Sequence, residues 1–332
     1  MIPLSVLDLA TVSSEITPSQ ALAQSVELIQ LAESLGYTRH WVAEHHGMQG
    51  VASSAPEILI AHLAAHTSTI RVGSGGIMLP NHVPLQVAER FHTLEALHPD
   101  RIDLGIGRAP GTDQATLRAL RAFDANQFPS QLQELRGMSA GDLPEEHPFA
   151  RIKVMPDDVR LPPIWLLGSS GASAKMAGQL GVGYAFASHF SPTDPLPALN
   201  AYRDNFVPSE QFPEPHIIVA AAAIIADTDD EAQRLATSWD LAMVRLRKGQ
   251  PGPFPTPEEA AAYPYTPMDR RLIEGHRQLQ FIGTAERVSG DLRAFAEKTG
   301  ASELMIATFT ASHASRVRSL ELLAEAWPLK AS

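Results

Sequence analysis

The chain of 332 residues has no cysteine. That removes disulfides, thiolate nucleophiles, iron–sulfur clusters and thiolate zinc sites, and leaves His, Asp and Glu as the available metal ligands. Positive charge is scarce: 26 Lys+Arg against 37 Asp+Glu give a net charge of −11, and lysine in particular is rare. A surface that acidic suits neither nucleic acid nor an anionic membrane, so partners of those two kinds are not expected. A small molecule with a single phosphate is still compatible, because a few local groups suffice to hold it. No apolar run is long enough to cross a bilayer, and Met1 is followed by no basic segment, so a cytoplasmic location is expected. Two motifs are also missing. No Gly-x-Gly-x-x-Gly follows the first strand pattern, which counts against an open doubly wound sheet, and no Gly-x-Ser-x-Gly elbow supports a Ser-His-Asp hydrolase.

What is present is a soluble-enzyme composition, 44% hydrophobic and 19% charged, with strand and helix patterns in alternation. Short apolar runs at 2–9, 39–44, 70–79, 101–107, 164–168, 184–188, 217–226 and 303–309 read as strands. Between them lie helical patterns with recognisable starts, such as Thr17-Pro18-Ser19-Gln20 and Thr228-Asp229-Asp230-Glu231, and glycine stops at Gly36, Gly181 and Gly300. Eight strands separated by helices predict a single α/β domain over 1–332, a (β/α)8 TIM-type barrel. Two stretches break the rhythm, 124–163 and 248–277, the second carrying six prolines. They read either as solvated excursions or as lid-like insertions over the barrel mouth.

In such a barrel the chemistry belongs at the carboxyl ends of the strands. Strand five leads through Gly168-Ser169-Ser170-Gly171-Ala172-Ser173 into a helix whose first N–H groups are unpaired, an anion cradle to which Arg108, after strand four, adds a cation. The simpler reading is a serine N-cap, which needs one of the three hydroxyls. Strand two ends in Glu44-His45-His46. Two adjacent strand histidines face opposite ways, so one at most points to the barrel axis. A metal-dependent hydrolase would need His45 together with Glu44, Asp8 or His189, and no metal is expected. Gly75 and Gly76 interrupt an apolar strand, as glycines do at a bulge or where a ligand approaches the backbone.

Four segments together resemble the luciferase-like flavin monooxygenases, most closely their single-chain bacterial members. They are Glu44-His45-His46, Val72–Pro80, Arg101–Gly111 and Trp165–Ser170, with Phe281–Val288 as a fifth. The resemblance spans the chain and implies a monooxygenase that takes reduced FMN from a separate flavin reductase, reacts it with O2 and oxidises a small, apolar substrate. It further implies that Ser169, Ser170, Ser173 and Arg108 hold the phosphate, and that Gly75-Gly76 forms a non-proline cis peptide against the flavin ring. His45 and Glu44 take the catalytic positions, and a homodimer is possible within the family. Where the luciferase α subunit has a reactive cysteine this chain has Gly107, which excludes a thiol mechanism and predicts extra room there. Two alternatives stand beside it: a deazaflavin (F420)-dependent oxidoreductase, disfavoured by the scarcity of basic residues at the strand ends, and a flavin-binding protein without catalysis.

Overall fold

In the computed structural model, which describes residues 2–121 and 124–329, ten parallel strands follow one another along the chain. They are β1 Leu4–Asp8, β2 Arg39–Val42, β3 Arg71–Ser74, β4 Ile77–Met78, β5 Ile102–Gly107, β6 Ile164–Gly168, β7 Gly183–Ala187, β8 Ile217–Ile225, β9 Gln280–Gly283 and β10 Glu303–Ala307. Pairing runs β1-β2-β3-β5-β6-β7-β8, with β4 continuing β3 against β5. It closes through β10, which lies between β8 (Leu304↔Val219) and β1 (Leu4↔Leu304). The eight staves are the eight strands expected, and the barrel is closed. The strand β9, unforeseen, pairs with the upper half of β8 from Ala222 to Ile225, above the stretch of β8 that pairs with β7.

Alternation along each stave sorts the side chains. Leu7, Trp41, Trp165 and Met305 share a cluster inside the barrel, while Leu4, Val6, Val42 and Val72 belong to the larger core between barrel and helices. Leu59, Leu63 and Phe91 are buried in that outer core, so they pack against the barrel rather than offering an interface. Thr17 caps the first helix, Pro18–Ser34, with the full capping box. Thr228 caps Asp229–Arg247, but the Glu231 side chain turns to Arg234 instead of returning to the cap. The 124–163 excursion contains the helix Phe128–Ala140, and 248–277 contains the helices Pro257–Ala262 and Pro267–Arg277. Their proline and glycine content hides these helices from a periodicity reading, yet the prolines sit at the first helical turn, where a missing N–H does no harm.

Two differences follow from side-chain direction and from close backbone approach. Asp8 is not a mouth residue. It points outward, under the first helix, accepting from the Ala10 N–H (2.8 Å) and Ser25 Oγ (2.5 Å), with His40 Nε2 at 3.6 Å. The third predicted strand is two strands joined at the Gly75–Gly76 bond, which is cis. Here the glycines answer to packing: a Cβ on Gly76 would lie 2.7 Å from Gly105 O, and one on Gly105 would lie 2.0 Å from Ser74 O.

The inner layer at the amino end of the staves is ionic. Arg39 on β2 donates from Nη1 to Asp103 Oδ2 on β5 (2.7 Å), and from Nε and Nη2 to the two oxygens of Glu303 on β10 (2.8 and 3.0 Å). Arg71 also donates to Asp103, from Nη2 at 2.7 Å, as does Trp41 Nε1 at 3.1 Å, and Ser5 donates to Glu303. The Arg39 guanidinium lies 4.9 Å from the Trp165 ring centroid. Burial, the largest influence, would raise both acids; Arg39 together with their other charged and hydrogen-bonding partners outweighs it and holds Asp103 and Glu303 below the ordinary carboxylate range.

Arg39→Ala leaves two buried carboxylates without their shared partner and is expected to destabilise the fold by about 3–5 kcal/mol, read from urea unfolding. Because the folded-state values of Asp103 and Glu303 are depressed, their contribution is complete above the ordinary values of 3.8 and 4.5. It is lost as pH falls through the lower folded values. Unfolding free energies measured between pH 7 and pH 3 should therefore hold level near neutrality and fall on the acid side of 4.5.

Candidate active site

The ends of β2, β4, β5 and β6 adjoin one another around the mouth, and Glu44 ties the first three together. The strand β2 stops at Val42, earlier than expected, so 43–46 is irregular chain that folds back on itself. The Glu44 carboxylate is fully buried. It accepts from the Met78 N–H (2.8 Å), Asn81 Nδ2 (3.2 Å), His82 Nε2 (2.9 Å) and His46 Nε2 (2.9 Å). Asn81 Nδ2 also donates to Pro110 O (3.0 Å) and the His46 N–H to Gly111 O (3.2 Å), which brings in the loop after β5. Burial would raise the Glu44 carboxyl, but the donors, His82 foremost, bring it down to about 2. Asn81 and His82 had only their strand-end position to mark them; their joint hold on Glu44 depends on the fold.

His45 turns away from this hub. Its N–H donates to Ser53 O (3.0 Å), and its side-chain Nδ1 is buried with no partner. Burial pushes the ring below the ordinary histidine range. His189, just beyond β7, is in the same position: its Nδ1 is buried and unpartnered, and burial followed by the proximity of His45 pushes it down to about 3.

The cradle lies at the next stave. Ser170 is the N-cap of the helix Gly171–Leu180, yet its side chain makes no capping bond. Ser173 Oγ donates to Ser170 O (3.0 Å). A Cβ on Gly168 would sit 2.1 Å from Ser173 Oγ, so a side chain there would displace that hydroxyl. The first-turn N–H groups and the Ser170 hydroxyl thus stay available at an exposed turn, with Ser169 beside them. Ile106 pairs with Leu166, so Arg108 stands at the height of Gly168 on the adjacent stave. Arg108 is exposed and forms no ion pair among the described residues. Gly107 offers no extra room: a Cβ there would be 2.8 Å from Met78 Sδ, so the methionine already occupies the space.

A stack of rings borders the other side of the mouth. Trp239 lies parallel to Phe309 (centroids 4.0 Å apart, 7° between planes) and to Phe254 (5.9 Å, 20°), and Phe309 to His189 (6.3 Å, 29°). These residues come from four separate segments and carry no common motif. Phe254 is fixed by its backbone, its N–H donating to Val12 O (2.8 Å) and its carbonyl accepting from the Ser14 N–H (3.1 Å). The segment around it, inside 248–277, therefore crosses to the loop that follows β1.

Comparison with known proteins agrees with this arrangement. The family model for luciferase-like monooxygenases matches residues 2–303. The chain is 45% identical to Bacillus subtilis YvbT over 326 residues, covering 98% of this chain and 96% of that protein. It is 41% identical to an Escherichia coli luciferase-like monooxygenase (97% and 96%), and 35% identical to the Bacillus subtilis N-acetyl-S-alkylcysteine monooxygenase (98% and 98%). The crystal structure of apo-MsnO8 superposes with a TM-score of 0.89 at 40% identity, covering 99% of both chains. The barrel itself is also shared with the oxygenating constituent of 3,6-diketocamphane monooxygenase in complex with FMN (TM-score 0.72, 19% identity, 98% and 97%). An F420-dependent secondary alcohol dehydrogenase shares it as well (0.67, 14%, 99% and 98%). With a closed barrel, a strand-end site and relatives of this similarity along nearly its whole length, the chain belongs to the luciferase-like monooxygenase family.

Proposed function

We propose that the protein is the oxygenating component of a two-component system, binding FMN reduced by a separate flavin reductase and using O2 to oxidise a small organic substrate. The observation that carries this reading is a pairing on one rim: an anion cradle with open donors at Ser169–Ser173 and Arg108, and a buried imidazole nitrogen without a partner at His45. Those groups fit a phosphate at one end of a ligand and a reacting polar centre at the other. When bound, reduced FMN supplies the two electrons for activating O2. Ser170, the first-turn N–H groups and Arg108 hold the phosphate, while Gly75-Gly76 presents bare backbone to the ring. His45 is uncharged near neutral pH, because burial keeps its ring below the ordinary range. Its Nδ1 can therefore hold or take up a proton beside the reacting atoms. Glu44 is a positioning residue: its oxygens are already engaged, and they tie the two residues that flank His45, Glu44 itself and the His46 ring, to the Met78 N–H. The stacked rings of Trp239, Phe309 and Phe254 give an apolar substrate a dry wall.

His45→Ala should leave binding of reduced FMN intact, lower substrate oxidation by orders of magnitude and raise hydrogen peroxide release, all read in one oxygen-uptake experiment. An unchanged oxidation rate would remove His45 from the reaction. Arg108→Ala should weaken FMN about tenfold, as loss of a charge-assisted contact does, and leave riboflavin, which has no phosphate, unaffected in the same titration. Tighter binding of reduced F420 than of reduced FMN to the unmodified protein would transfer the reading to deazaflavin hydride transfer.

A further inference from the structure

The loop that carries Arg108 leaves β5 at Gly107 and is then fastened at three successive residues. Pro110 O accepts from Asn81 Nδ2 (3.0 Å), Gly111 O accepts from the His46 N–H (3.2 Å), and the Thr112 hydroxyl donates to His46 O (2.7 Å). Gly111 has a φ of +64°, and a Cβ on it would stand 2.6 Å from Glu44 O. Only glycine lets the loop lie this close to the main chain of 44–46. Directly or through Asn81, the stretch 110–112 is therefore bonded to the short segment that holds His45.

Asn81 is the one side chain that meets both partners. Its amide nitrogen carries two hydrogens and finds two acceptors on different segments, Pro110 O and Glu44 Oε1 (3.2 Å). The residue ends the short 3-10 turn Leu79–Asn81, and its neighbour His82 grips the same carboxylate at 2.9 Å. The amide cannot follow a moving loop without pulling on that hub. Arg108, two residues before Pro110, is exposed. An exposed guanidinium on an unanchored loop has to be ordered as it meets its ligand, at a cost in affinity. On an anchored loop it is in place beforehand. We propose that Asn81 is a positioning residue for phosphate recognition. By clamping Pro110 to the Glu44 hub it holds Arg108 level with Gly168 and the Ser169–Ser173 turn, so a residue that never touches the phosphate sets how well it is bound. The inference rests on the FMN reading above and adds the device that gives the phosphate its weight.

The test compares reduced FMN with reduced riboflavin, each titrated without oxygen against the full chain and followed by tryptophan fluorescence. The readout is the ratio of the two affinities, which a general loosening of the barrel would leave unchanged. The unmodified chain should favour FMN by roughly tenfold. No preference there would overturn the FMN reading, and this inference with it. Asn81→Ala should lower the ratio about fivefold, the scale of one lost hydrogen bond. In the Arg108→Ala background it should lower the ratio no further, because the two residues act through one contact. Thr112→Val keeps the branched shape and removes only the hydroxyl, so it decides the matter should Asn81→Ala fail to fold; a fall of about threefold is expected. An FMN preference retained in full by either variant, or a further fall when Asn81→Ala is added to Arg108→Ala, would overturn the proposal while leaving the FMN reading intact.

Discussion

The barrel is held at its base by one side chain. Arg39 reaches from β2 to acids on β5 and β10, so a single guanidinium fixes three staves whose backbones are not all neighbours. Aliphatic layers could fill the same volume with more net stabilisation, since desolvating ions is expensive. What the ionic layer adds is direction: Asp103 and Glu303 must both face Arg39, and a stave shifted by one residue would point its acid at the outer helices. Register at the base is register at the rim, because the staves are only four to nine residues long.

That register sets the mouth. With Ile106 opposite Leu166 and Met78 opposite Gly107, the ends of β4, β5 and β6 finish level, and the residues just past them meet. Glu44 completes the arrangement by joining the segment after β2 to β4 and its following turn, while Asn81 and the His46 N–H add the loop after β5. The two glycines at 75 and 76, and Gly105 beside them, permit the approach of β3, β4 and β5 at a distance no side chain would allow.

Much of this was legible beforehand. The eight staves announced themselves as short apolar runs between capped helices, and the rim residues as polar groups at strand ends. What escaped the sequence was whatever depends on direction or on distant partners. Asp8 ends a strand like the others, but parity turns it outward to Ser25 and His40. Gly107 reads as empty space until Met78 from the adjacent stave fills it. The ring stack is assembled from the segments just past β7 and β10, the helix Asp229–Arg247 and the 248–277 excursion, a convergence that no local pattern encodes. Proline-rich 248–277 hid two helices because proline signals a break inside a helix and a beginning at its first turn.

The manner in which Phe254 is fastened has a consequence for how such enzymes diverge. The segment around Phe254 is laced to the loop after β1 by main-chain bonds at Val12 and Ser14, groups that every residue except proline at the donor positions carries. These two bonds do not depend on which side chains the segment carries, although Phe254 and Thr256 are buried and Glu259 is bonded to Ser14. On the proposed reading, a lineage can change exposed positions of this segment while its main-chain attachment to the loop after β1 stays in place, and new specificities become reachable by single substitutions there.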